Sequence, residues 1–322
     1  MTPTADRRRL RLGTRRSQLA QRQSGRVAEA IIELEGAPEV ELVLIETRGD
    51  RLKDVPLTEV AGTAFFTSEL EQALLNDEVD VAVHSLKDLP SEPREGLLVA
   101  AVPQREDPRD VLVSPEGLGI EQLPPGARVG TGSVRRQALL RRLRPDIEPL
   151  ELRGNVTTRL AKLDAGHYDA IVLAAAGLRR LGLEDRIGEV LPGDRFPPAP
   201  GQGALAVQCR ETDLETRRWL EPLDDLGSRL EVTAERALLG EVHGGCQAPV
   251  GVLARRRDNR LQVSAVVCAL SDRKTVGGSD EIELCGEREL DLEEASRLGE
   301  RLAGRLLEAG AEAILEQLRG GG

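Results

Sequence analysis

The chain reads as an α/β protein: two alternating units around a cleft, followed by a smaller α+β C-terminal domain. Three observations predict this. Short apolar runs alternate with amphipathic segments through the first part of the chain, as strands interleaved with helices do. The alternation restarts after a polar stretch bounded by Pro103 and Pro108, a natural hinge. From about residue 226 the rhythm changes to one helix, several strand-like runs and a long terminal helix.

In the first unit, residues 10–13 read as a strand, 17–34 as a helix, 40–46 as a strand, 66–75 as a helix and 79–84 as a buried strand. In the second, 127–131, 147–152 and 170–174 read as strands, with helices at 133–143 and 155–165. The run RFPPAPGQG (195–203) is the strongest Pro/Gly cluster and marks a crossing between units; 204–210 then reads as a buried strand returning to the first. The last part gives a helix at 230–239, strands at 250–254, 261–269 and 281–284, and one amphipathic helix over 292–318. The expected domains are 1–103 with 204–222, then 109–198, then 226–322, in a chain long enough to give each a core.

Composition excludes several classes of function. A net charge of −11 repels a polyanion, and the few aromatic side chains (Phe65, Phe66, Tyr168, Phe196, Trp219) cannot build a base-stacking platform, so no nucleic-acid partner is expected. No run approaches the roughly 20 apolar residues that span a bilayer, and the basic N-terminus precedes no apolar stretch. A cytoplasmic protein without a membrane partner follows, with Cys209, Cys246, Cys268 and Cys285 as free thiols. No CxxC occurs and His84, His167 and His243 are far apart, so no metal is expected; His84, at a strand end, reads as a satisfied core histidine.

The chemistry gathers where strands hand over to helices. Thr14-Arg15-Arg16-Ser17, Thr131-Gly132-Ser133-Val134-Arg135-Arg136 and Arg153-Gly154-Asn155-Val156-Thr157-Thr158-Arg159 each follow a strand. Free N–H groups at a helix start attract anions, and arginine adds a two-pronged grip on carboxylates. Any one junction could be an ordinary solvated helix start; three on successive units favour a cleft for a multiply negative ligand. Neither GxGxxG nor GxxxxGK[ST] occurs, so no nucleotide is indicated.

Two further residues stand out. Asp88, in the run VHSLKDLP (83–90), is either a turn cap or a carboxylate held at the cleft, able to stabilise a cation or move a proton. Cys246, between Gly244-Gly245 and Gln247-Ala248-Pro249, is either a small buried hydrophobe or a covalent attachment point on a tight loop. Two functions remain open on the residues alone: an enzyme, or a non-catalytic bilobal receptor for an organic anion. The receptor leaves Cys246 unexplained.

The runs GTRRSQLA (13–20), ETRGD (46–50), VAVHSLKDLP (81–90), REDPRD (105–110), VGTGSVRRQ (129–137), LRGNVTTRL (152–160), GQGALAVQCR (201–210), VTAERALL (232–239) and GGCQAPVG (244–251) resemble those of the porphobilinogen deaminase (hydroxymethylbilane synthase) family, in the family's order. The resemblance implies two doubly wound, binding-protein-like domains plus a third, and a monomer. It implies a dipyrromethane cofactor attached by a thioether to Cys246. The implied reaction joins four porphobilinogen molecules head to tail, releasing ammonia each time, and frees hydroxymethylbilane. Asp88 matches the family's catalytic aspartate. By the same pattern Arg15, Ser17, Ser85, Lys87, Thr131, Ser133, Arg135, Arg136, Arg153, Arg159 and Arg180 would grip cofactor and substrate carboxylates, with Gln23 a further candidate. The chain departs from the family at Glu59 and Thr63, where lysines are usual, and at Gly132, where serine is frequent.

Overall fold

The computed structural model describes residues 9–47, 67–242, 248–270 and 274–319. In chain order the elements are β1 (Arg9–Arg15), α1 (Gln18–Ile32), β2 (Glu39–Ile45), α2 (Ser68–Leu75), β3 (Val81–Ser85), β4 (Leu97–Ala101), β5 (Asp110–Val113) and β6 (Arg128–Gly130). They continue with α3 (Val134–Leu143), β7 (Glu148–Leu150), α4 (Val156–Asp164), β8 (Ala170–Ala174), α5 (Ala175–Leu181), β9 (Glu189–Val190), β10 (Leu205–Arg210) and α6 (Leu214–Leu220). The chain closes with α7 (Leu226–Glu241), β11 (Val250–Arg257), β12 (Arg260–Cys268), β13 (Thr275–Glu283), α8 (Arg288–Leu306) and α9 (Glu312–Arg319).

Two compact units result. The first comprises Met1–Arg105 and Ala204–Asp225, the second Glu106–Gly203 and Leu226–Gly322. The sheet of the first runs β2-β1-β3-β10-β4 and that of the second β7-β6-β8-β5-β9. Both follow one plan. The leading strand lies between two parallel neighbours, β1 between β2 and β3, β6 between β7 and β8. The fourth strand, β10 or β5, runs antiparallel to both of its neighbours. The parallel registers Gly13↔Ala82 and Gly130↔Ile171 bring the carboxyl ends of adjacent strands to one edge in each unit. Each sheet is therefore mixed, as the interleaved pattern allowed.

Helices cover both faces, which is why the strands read as continuous apolar runs. In the first unit Leu10 and Leu12 pack with Val27 and Ile31 of α1, and Ala82 packs with Leu70 and Leu74 of α2 on the opposite face. In the second, Val129 and Val172 pack with Leu139 of α3, while Val113 and Ile171 meet Leu160 and Leu163 of α4. Burying one such leucine contributes about 1.5–3 kcal/mol. The antiparallel sheet β11-β12-β13 lays Val252, Val263 and Ala265 on α7 and α8. Val266 and Cys268 of β12 join the Leu139 cluster, so the three-stranded sheet and the second mixed sheet share a core.

Three readings from the sequence change. The helix expected over 292–318 breaks at Gly310, which takes φ +105, and the regular α-helix restarts at Glu312. The strand expected at 281–284 starts at Thr275: its polar, Gly-rich run pairs with β12 along its length, and only Val276, Asp280 and Ile282 are half-buried. The short elements β4, β5, α5 and α6, of four to seven residues, announce no period in the sequence. Among the described residues no helix is long and apolar enough to cross a membrane.

Candidate active site

In the first unit β1 ends at Arg15, and Ser17 caps α1 by accepting the Ala20 N–H at 3.3 Å. Beside it, β3 delivers Ser85 and then a single 3-10 turn, Leu86–Asp88. The turn is pinned from within: the Leu86 N–H donates to the Ala204 carbonyl at 3.0 Å, and Leu86 and Leu89 are buried. Ser85, Lys87 and Asp88 are left half-buried at the sheet edge. The Asp88 carboxylate makes no hydrogen bond or ion pair among the described residues and caps no turn. In this it differs from the buried Asp80 and Asp110, each gripped by arginine.

Gln23 is buried on α1 and donates from Nε2 to Ser85 Oγ at 3.0 Å, leaving the serine hydroxyl proton available to another acceptor. His84 is a satisfied core histidine, as expected. Its Nε2 faces Gln208 Oε1 at 3.1 Å, and Gln208 Nε2 donates to Glu71 Oε1 at 3.2 Å, which fixes the amide's orientation. Burial, together with the Arg15 charge, pushes the imidazole down to about 4, so it is neutral near pH 7.

In the second unit Thr131 follows β6, wholly buried, and its Oγ1 accepts the Ser133 N–H at 3.2 Å. Ser133 caps α3. A Cβ on Gly132 would lie 2.9 Å from the Leu152 carbonyl oxygen, so the backbone just after β7 leaves a serine there little room. Arg153, half-buried after β7, donates from Nε to Glu151 at 3.1 Å. Arg159, on α4 capped by Asn155, donates from Nε to the Gly154 carbonyl at 2.7 Å. Arg135, Arg136 and Arg180 are placed differently: all three are buried. Arg180 Nη2 donates to the Gly203 carbonyl at 2.6 Å, and Arg135 and Arg136 converge on Asp110.

A helix start normally recruits acidic residues to its positive end. α2, α6, α8 and α9 do so. α1, α3 and α4, which follow the parallel strands, carry none in the first turn. Their positive ends carry no carboxylate of their own, and their caps Ser17, Ser133 and Asn155 are neutral.

Cys246 and the segment 56–66, with Glu59 and Thr63, lie outside the described residues. Burial pushes the thiols of Cys209 and Cys268 up to about 11, so both stay protonated and unreactive near neutrality. No cluster of described His, Cys, Asp or Glu residues could hold a metal. Three polar residues went unassigned in the sequence: Asp110, Gln202 and Glu235. One signal was available, an aspartate opening the apolar run Asp110-Val111-Leu112-Val113, where a charge must be buried and therefore paired.

Fold and site define an α/β protein that presents basic and hydroxyl side chains at the carboxyl ends of its parallel strands, beside the Asp88 carboxylate, which has no partner among the described residues. Residues 10–218 match the family model described as "Porphobilinogen deaminase, dipyromethane cofactor binding domain", and 229–308 match that of the porphobilinogen deaminase C-terminal domain. A porphobilinogen deaminase of Thermobifida fusca (strain YX) is 47% identical over 313 residues, 97% of this chain and 97% of that protein. Another, of Syntrophobacter fumaroxidans, is 45% identical over 309 residues, 96% of this chain and 97% of that protein. The solved methionine binding protein MetQ aligns with a TM-score of 0.43 at 12% identity, over 67% of this chain and 89% of that one, and carries no functional argument. The chain belongs to the porphobilinogen deaminase family.

Proposed function

We propose that this chain condenses four porphobilinogen molecules head to tail, with loss of ammonia at each addition, and releases hydroxymethylbilane from a dipyrromethane primer tethered through Cys246. The residues present fit such a primer. Each pyrrole carries an acetate and a propionate, and the sheet edges offer guanidinium, ammonium and hydroxyl donors at Arg15, Ser17, Ser85, Lys87, Ser133, Arg153 and Arg159, while buried Thr131 braces the Ser133 turn. When bound, the dipyrromethane supplies an electron-rich pyrrole carbon from which the chain extends.

The observation that carries the reading is the Asp88 carboxylate, half-buried at the end of β3 and without a partner among the described residues. A fixed carboxylate there accepts a hydrogen bond from a substrate pyrrole N–H. It also stabilises the electron-poor, cationic ring left when ammonia departs. Ser85, oriented by Gln23, holds a ligand carboxylate beside it, and Lys87 adds charge. Neutral His84 behind the strand contributes no competing cation. The same reading makes the protein a cytoplasmic monomer without nucleic-acid or membrane partners, which its net charge of −11 supports for nucleic acid.

The test is Asp88→Asn, which preserves shape and removes the charge. Turnover is expected to fall about a hundredfold or more while the covalent adduct keeps its mass. Normal turnover by that variant would remove Asp88 from its role.

A further inference from the structure

Asp110 opens β5 and has no exposed surface, yet its two oxygens meet four donor contacts. Oδ2 accepts from Arg135 Nη2 at 2.8 Å. Oδ1 accepts from Arg136 Nε at 3.1 Å and Nη2 at 2.7 Å, and from Gln202 Nε2 at 2.8 Å. The guanidiniums are fixed at their other ends by backbone: Arg135 Nη1 donates to the Pro197 carbonyl at 2.6 Å and Arg136 Nη1 to that of Val172 at 2.9 Å. Arg135 also lies 5.9 Å from the centre of the Phe196 ring.

The charges here do not balance. Two buried cations share Asp110 as their only carboxylate among the described residues, which leaves a net positive charge in the interior. Both arginines sit in the first turn of α3, where the helix's positive end opposes them and no acidic residue compensates. One donor is also left over: Arg135 Nε is buried with no acceptor. Burying an uncompensated charge and an unsatisfied donor is costly unless something completes them. A carboxylate would complete both.

We propose that Asp110 is a positioning residue for the primer. It locks the Arg135 and Arg136 guanidiniums in place and cancels one of their two charges, and the charge and the Nε–H that remain receive a ligand carboxylate. The inference rests on the family reading, because that reading supplies the polycarboxylate. Gln202, from the turn of the run GQG, holds Asp110 in the orientation that both arginines need.

The test uses full-length protein made in cells that produce no porphobilinogen and then incubated with it. Two quantities are read: the melting temperature of the unloaded form, and the rate at which folded molecules gain the two-pyrrole mass. Asp291→Asn, at another buried carboxylate of the same unit, which accepts the Cys285 and Gly286 N–H groups at 2.8 and 3.1 Å, serves as the control and is expected to melt lower but to load at the wild-type rate. Asp110→Asn is expected to load about thirtyfold more slowly or worse, as when one partner of a buried charge pair is removed. Asp110→Glu keeps the charge, displaces both guanidiniums by a methylene, and is expected to fold and load slowly.

Folded Asp110→Asn or Asp110→Glu that loads at the wild-type rate overturns the proposal. So does failure of both variants to fold, which would make Asp110 purely structural. Unloaded wild-type protein that takes up no adduct refutes the tethered-primer reading of the function instead.

Discussion

Acidification from about pH 7 to about pH 5 should cost the first unit about 2 kcal/mol of stability through one side chain, His84. Its ring is buried in the sheet between β3 and β10, bonded to the neutral amide of Gln208 and near the Arg15 cation. The native imidazole therefore resists protonation down to about 4, whereas in the unfolded chain it titrates near 6.5. Between those values the unfolded state binds a proton that the native state refuses, so stability falls as pH falls. The whole difference is about 3 kcal/mol, and about two-thirds of it is reached by pH 5. Carboxylates act lower. Burial raises Asp80, Asp107 and Asp110, but the arginines gripping them outweigh it, and their stabilisation is lost only below about pH 4. Urea unfolding of wild type and His84→Gln at the two pH values separates the effect, since glutamine keeps a donor for Gln208 but does not titrate. Equal losses in both proteins would refute the reasoning.

Two further substitutions test the packing around the site. Glu235→Gln replaces a carboxylate whose oxygens accept the Gly201 and Ala254 N–H groups at 2.7 and 2.8 Å, so an amide N–H must face one of them. The expected cost is about 3 kcal/mol, or roughly 6–12 °C in calorimetric melting; no shift would show that the side chain does not join those segments. Gly132→Ser places a Cβ against the Leu152 carbonyl oxygen and is expected to cost about 1–3 kcal/mol, measured in the same way. An unchanged melting temperature would mean that the strand-end backbone gives way at little cost.

Much of the fold around the candidate site was legible in the sequence, and the rest was hidden for physical reasons. The strands feeding it read correctly because helices bury both faces and leave continuous apolar runs, as at residues 81–83 and 170–173. The junction turns were marked by Ser17, Ser133 and Asn155, each a side-chain cap in the structure. What the sequence could not convey is where an arginine points. Arg135 and Arg153 occupy similar junctions, yet one is buried against Asp110 and the other half-exposed beside Glu151, a difference set by partners distant in the chain. Gln23 likewise read as a candidate ligand contact, and only the fold places Ser85 within its reach. The terminal helix was misread because its leucine spacing continues through Gly310, whose φ of +105 interrupts the helix.

The most direct measurement is the intact mass of the purified wild-type protein beside that of Cys246→Ser. The expected result is a wild-type mass exceeding the sequence mass by two linked pyrrole units, with no excess in the variant. A wild-type protein that turns over porphobilinogen with the bare sequence mass would contradict the tethered primer.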